Sequence, residues 1–338
     1  WRLNSLTIQA GGTFTADAAT ITMDGNFNFS AGTFTYGTST VVFTANATLT
    51  TANATDVTYA NNITVNDGVT LTQFGNLTIA GNLVVGGVTG GNVSSGIYRF
   101  RIDGNFTVGA GVTTLTMNLD YRPSVSRTLP STVTSYRSIH ISIGAGVTVT
   151  FGTNTATTDT FADVSTWGFS CRGGGLCSTS NFNLTVPSAS VGFDVDSGGG
   201  FLAGTSTVSV PNAVINSAAS YITSAAGGSW TVSGTWTNTS TSASWSFAAP
   251  ITFNASAGQT MTFAGTNLAV AEFNNVTFTS SAGTAQTFTM ATRGIRWLAT
   301  LTVSDATSTT ALASADLALG AAADAADIVV WNGGTLTA

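Results

Sequence analysis

The chain has 338 residues but no lysine, one glutamate (Glu272), one histidine (His140), two cysteines and five prolines. Charged residues make up 7% of it, against about 25% in an ordinary soluble domain. Each shortage excludes something. A net charge of −6 without lysine argues against a basic nucleic-acid surface, so no nucleic-acid partner is expected. A long coiled coil needs a richness in Ala, Glu, Lys, Leu and Arg that is missing. No run of 18 apolar residues occurs, so no helical membrane span is predicted. Catalysis is confined too. Residues 197 to 271 hold no Asp, Glu, Lys, Arg or His, and a Ser–His–Asp site could draw only on His140. No cofactor is expected, and the chain is not expected to be an enzyme.

Ser and Thr dominate what is present, with 62 Thr and 35 Ser beside 38 Gly and 24 Asn. Disorder is not expected, because 43% of residues are hydrophobic and 20 are Phe. One short pattern recurs: Gly or Asn, then Asn, then three residues whose first and third are apolar. It reads GNFNF at 25–29, NNITV at 61–65, GNLTI at 75–79, GNLVV at 81–85, GNFTV at 104–108 and NNVTF at 274–278. Each copy predicts a turn followed by a short strand, with Gly and Asn supplying a left-handed corner. A second pattern, Thr–apolar–Thr, recurs from Thr13–Thr15 to Thr335–Thr337. It turns one side chain inward and two β-branched hydroxyls outward. Such Thr rows can order water on a flat face, but the middle residue varies in size, and Thr here reads as the generic outward residue.

Strands of three to five residues on this beat predict an all-β fold: a right-handed parallel β-helix (β-solenoid) with about 20 to 25 residues per coil. The alternative is a β-sandwich array, which needs longer alternating strands and clearer hairpin turns. Only the Ala-rich stretch 311–326 could hold a helical turn. Trp230 alternates with Val232 and Trp245 with Phe247, the spacing of an inward core stack. Segments such as 5–43 and 257–290 resemble repeats of large secreted parallel β-helix proteins of microbial cell surfaces, of adhesin or filament type. The resemblance implies a fold and an extracellular setting. It carries no catalytic residue.

The organisation expected is solenoid coils over 1–119, a loop or insertion at 120–137, and coils over 138–338. The second segment carries a Cys-bearing excursion at 153–180. The insertion is read from Pro123, Pro130, Arg122, Arg127 and Arg137. Loops leaving a rigid scaffold are where a glycan or receptor would bind. Cys171 and Cys177 in CRGGGLC predict a small disulfide-closed loop and an oxidising compartment. Free thiols or half a metal site are the alternatives. The start, WRLNSLTIQ, reads as a processed protein or an excised segment. Neither end looks capped. A slice of a longer chain would explain this, and so would head-to-tail pairing of copies into a homopolymer.

His140 alternates with Ile139 and Ile141 and is expected on a solvated strand face. Asp194 and Asp196, two residues apart, are expected on one strand face, where they would suit a polysaccharide-cleaving carboxylate pair or weak calcium binding. Gly198 and Thr205 depart from the calcium-loop pattern, so an exposed polar strand end is the simpler reading. Asp24 and Asp103 precede GN corners and read as turn caps. Eleven N-x-S/T sequons are glycosylation candidates if exposed: Asn28, Asn46, Asn53, Asn62, Asn76, Asn92, Asn105, Asn183, Asn238, Asn254 and Asn275. The function expected is an extracellular structural protein, a subunit of a surface filament, sheath or adhesin stalk. The alternatives are a glycan- or receptor-binding adhesin, or an enzyme using Asp194 and Asp196.

Overall fold

The computed structural model describes the chain apart from residues 53–57, 158–166, 188–190, 256–258, 264–271, 281–285, 292–295, 298–299, 304–307, 312–317, 320–326, 331–334 and 338. The described residues are strands, turns and corners with no helix, and they form a parallel β-solenoid. Their pairings are parallel, as in Thr20–Met23 with Thr40–Phe43 and Ser229–Val232 with Ile251–Ala255. That removes the β-sandwich array, which needs antiparallel hairpins. Two compact units divide the chain. One holds 1–143 and 147–168, the other 144–146 and 169–338.

In the first unit, one sheet stacks Arg2–Leu3, Thr20–Met23, Thr40–Phe43, Asn62–Val65, Leu83–Val85 and Phe106–Val108. Its register fixes a column, Ile21–Val41–Ile63–Leu83–Phe106, at one side chain per coil. Each member of that column is buried. The partners lie 20 to 23 residues apart, which is the coil length the Thr–apolar–Thr beat predicts. A second sheet runs through Ala47–Thr50, Thr70–Phe74, Asn92–Ile102, Thr114–Tyr121 and Ser135–Ser142.

In the second unit the corresponding buried column is Val208–Trp230–Ile251–Val276, and the ladder continues through Thr300–Val303 and Asp327–Val330. Trp230, Val232, Trp245 and Phe247 are buried, as their alternation predicts. Trp236 is wholly buried, and its ring meets Trp230, Phe253 and Phe273 edge-on at centroid distances of 6.2, 6.2 and 5.8 Å. Of the Ala-rich stretch, Ala311 ends a strand and Ala318–Leu319 forms another. The rest of that expectation lies outside the described residues.

The GN corners are built differently from the left-handed turn the sequence suggested. Gly25, Gly81 and Gly104 are not among the positive-φ residues, although Gly75 is, at φ 87°. Glycine is needed at these three because coils stack closely there. A methyl group on Gly104 would overlap the Gly81 carbonyl oxygen, and one on Gly25 the Asn4 carbonyl oxygen. The Asn that follows staples coils together. The amide oxygen of Asn26 accepts the Thr48 N–H at 2.8 Å, that of Asn62 accepts Asn82 N–H at 2.9 Å, and that of Asn82 accepts Asn105 N–H at 3.0 Å. In the second unit Asn183 serves the Thr207 N–H in the same way, at 2.9 Å. Corner N–H groups that no strand ladder reaches are thus satisfied by side chains.

Segment 120–137 does not leave the solenoid. Asp120 and Tyr121 end one strand, Arg127–Thr128 pairs with Val149–Thr150, and Ser135 begins another strand. Tyr121, Leu129, Val133 and Tyr136 are buried. Pro123 and Pro130 lie between strands, where no ladder N–H is required. In 153–180, strands Thr155–Thr157, Trp167–Arg172 and Leu176–Ser178 are present. Residues 158–166 of the expected excursion lie outside the described residues.

Candidate functional site: charged rows within the coils

Three stacked strands of the first unit, Asn92–Ile102, Thr114–Tyr121 and Ser135–Ser142, carry Arg99, Arg101, Asp120, Arg137 and His140. The apolar columns there are Phe100–Leu119–Ile139 and Ile102–Tyr121–Ile141. One polar row, Arg101–Asp120–His140, runs between them, and a second, Arg99–Asn118–Ser138, flanks the first column in the same register. Backbone irregularities between Ser94 and Arg99, and between Leu115 and Asn118, precede these rows and re-aim the side chains.

Asp120 is fully buried and takes two guanidiniums: Arg122 Nε lies 2.9 Å from Oδ1 and Arg99 Nη1 3.6 Å from Oδ2. Arg101 turns to Asp103 instead, with Nε 2.7 Å from Oδ1. In the neighbouring row, Asn118 donates to the Gly96 and Tyr98 carbonyls at 3.0 and 3.2 Å and accepts from Ser138 Oγ at 2.9 Å. A buried carboxylate needs this compensation, because desolvation costs several kcal/mol per ion. Beside the cluster, burial pushes the Tyr121 phenol up to about 12, opposed by the positive charge of Arg127. Burial also pushes the Tyr136 phenol up.

His140 is therefore not on a solvated face. It is 6% exposed, because both faces of this strand are covered. Asp103 is an ion-pair partner of Arg101 rather than a simple cap. Asp24 likewise takes a forked contact from Arg2, at 2.6 and 3.2 Å, and a hydroxyl hydrogen bond from Thr44. The Arg2 hydrogen bond holds the Asp24 carboxyl below the usual carboxylate range.

In the second unit, Asp194 and Asp196 do not present a shared open face. Asp194 is fully buried on Val191–Val195, where its Oδ2 accepts from Ser170 Oγ at 2.8 Å and from Arg172 Nε at 2.7 Å. Burial raises its carboxyl above the ordinary range, against the pull of Arg172. Asp196 lies one residue past the strand, at a corner, where its carboxylate accepts its neighbour's N–H from Ser197 at 2.5 Å. Among the described residues no group of three His, Cys, Asp or Glu side chains is arranged to hold a metal ion.

Cys171 and Cys177 form a disulfide with Cα atoms 6.2 Å apart. Both sulfur-bearing residues are fully buried. The bridge joins the end of one strand to the middle of the next, Leu176–Ser178, across a glycine corner. Cys177 is in register with Phe201 of the following coil. No described helix is long and apolar enough to cross a membrane.

Two of the sequon asparagines are no glycan acceptors in the folded chain. Asn76 is 3% exposed and accepts the Arg99 N–H, and Asn238 is fully buried and accepts the Ser240 N–H. Asn53 lies outside the described residues. Asn46, Asn105 and Asn183 are exposed, and Asn28, Asn62, Asn92, Asn254 and Asn275 are half-buried.

Sequence reasoning missed the Arg–Asp rows. The signal was available: charged residues in alternation at YRFRI and LDYR come into line once a coil step is applied. No family model, curated protein or solved structure matches this chain.

Proposed function

We propose that this chain is an extracellular structural protein without catalytic function, a solenoid module of a surface filament, sheath or adhesin stalk. The observation that supports it most is the continuous in-register stacking. Within each unit, parallel ladders and buried apolar columns run from coil to coil, and Asn side chains staple several of the coils together, so tension along the stack loads many backbone hydrogen bonds together. The disulfide is weakly compatible with the extracellular setting. The charged groups support a structural role as well, since Asp120 and Asp194 are occupied by arginines.

Head-to-tail association is part of the proposal. A parallel rung of a second copy would extend the ladder by the same hydrogen bonds that hold each coil to the next. Electron microscopy of the purified chain across a concentration series tests this. Regular filaments with a constant axial repeat are expected. Discrete particles at every concentration would overturn self-association. A polysaccharide-cleaving activity abolished by Asp194→Asn would overturn the structural reading itself.

A further inference from the structure

We propose that the outer face of strands Ala47–Thr50, Thr70–Phe74 and Asn92–Ile102 in the first unit is a binding platform for an uncharged polysaccharide chain. This goes beyond the structural reading, and it places binding on a sheet face rather than on excursions from the coil.

The face follows from strand alternation. On Thr70–Phe74 the pattern turns Leu71 and Gln73 into the fold and leaves Thr70, Thr72 and Phe74 outward. Register extends each outward position sideways. Thr72 is flanked by Thr48 and Ser94, Thr70 by Asn92, and Phe74 by Thr50. Neighbouring strands are about 4.8 Å apart and alternate residues about 6.6 Å apart along a strand. The result is a grid of hydroxyl and amide groups that ends in an aromatic ring. An open groove runs over this grid between Asn26, Asn46 and the threonines. The amide oxygens of Asn26 and Asn46 are already taken by the N–H groups of Thr48 and Thr70, each at 2.8 Å. Their NH₂ groups are left as donors.

The aromatic edge is the second observation. Phe74 is 48% exposed, which is unusual for a Phe in a chain that buries most of its rings. Its ring lies 6.3 Å from that of Tyr98, at 58°. Tyr98 stands in the irregular stretch between Ser94 and Arg99, which pushes Ile97 out to 58% exposure beside it. Tyr98 itself is half-buried, and an exposed ring backed by a second aromatic with a polar handle is a common interface anchor.

Partner chemistry follows from what the face offers. The rows through Thr70, Thr72 and Phe74 carry no charged side chain; farther along Asn92–Ile102, Arg99 is buried and Arg101 is paired with Asp103, so an acidic or basic partner finds no unpaired counter-charge in the hydroxyl rows. A neutral sugar has an apolar ring face that stacks on an aromatic, and hydroxyls around its edge that exchange hydrogen bonds with Thr, Ser and Asn. A linear chain of such rings would lie across the hydroxyl rows with one ring on Phe74 and Tyr98.

The test is co-sedimentation of the full chain with microcrystalline cellulose, chitin and insoluble β-1,3-glucan, with the bound fraction measured at low salt and in 1 M NaCl. Retention on at least one of them, unchanged by salt, is expected. F74A/Y98A should weaken that retention at least tenfold, with an unchanged circular dichroism spectrum and melting temperature. T72E, which puts a charge at the centre of the grid without touching the rings, should weaken it comparably. Three outcomes would overturn the proposal: no retention on any of the three solids, retention that disappears in salt, or retention unaffected by both variants.

Discussion

Removing the disulfide should loosen the second unit by a calculable amount. The perturbation is C171A/C177A, since serine at two fully buried positions would add unsatisfied hydroxyls. The bridge closes a loop of sequence separation 6, and the chain-entropy relation gives roughly 8 cal/mol/K for such a loop, or about 2.4 kcal/mol at 25 °C. A solenoid transmits that loss to the nearest coils first. Cys177 is in register with Phe201, and the Phe201 ring lies 6.0 Å from Trp230. Tryptophan fluorescence in a denaturant titration, to which Trp230 contributes among seven tryptophans, therefore includes a signal from the ring packed on Phe201. The expected result is a midpoint shifted to lower denaturant by the equivalent of about 2 kcal/mol, with the same slope. Because both cysteines are buried, the wild-type bridge should also resist mild reductant until the coil opens. A midpoint unchanged within about 0.5 kcal/mol would refute the reasoning, since it would mean the corner is held as firmly by stacking alone. Labelling of free thiols in the unreduced native protein would refute it at an earlier step.

Two further outcomes are expected. Trp236→Ala leaves a large hole among Trp230, Phe253 and Phe273, so it should cost about 3–5 kcal/mol, read by denaturant unfolding; a cost under 1 kcal/mol would contradict the packing described. Asp194 has a folded-state pKa raised by burial, so between its unfolded and folded pKa values the native state binds more protons. Its contribution is therefore favourable at low pH and is lost as pH rises through the folded value, opposite in sign to that of Asp24, whose lowered pKa favours the fold above the unfolded value. Asp194→Asn should flatten the fall in second-unit stability above about pH 4, measured by Trp fluorescence melts across pH; a profile parallel to wild type would contradict this.

The parallel ladder was legible because the Thr–apolar–Thr beat states the period of a strand, and the spacing of its copies states the length of a coil. Trp230 and Val232 were placed correctly for the same reason. What alternation cannot state is whether the second face of a strand meets water. Ser138 and His140 lie opposite Ile139 and Ile141, and the rule that polar residues face out put them in solvent. Yet Ser138 is fully buried and His140 nearly so, because this strand is covered on both sides. Proline misled differently. Pro123 and Pro130 read as a loop because a strand interior rejects them, but a coil has corners, and a corner accepts proline without breaking the ladder. The GN repeat was found for its position and misread for its cause. Glycine in isolation suggests a left-handed turn, whereas at Gly25, Gly81 and Gly104 the reason lies one coil away, in the carbonyl of a neighbour about 20 residues earlier. Close approach between coils leaves no local mark in a sequence. The charged rows are the intermediate case, since Arg101 and Asp120 mean nothing separately. A known coil length makes them neighbours, and the burial of Asp120 then requires arginine partners, which Arg99 and Arg122 supply. A period established from threonine and valine can thus be used to find ion pairs, provided that it is applied to the charged residues before they are assigned to loops.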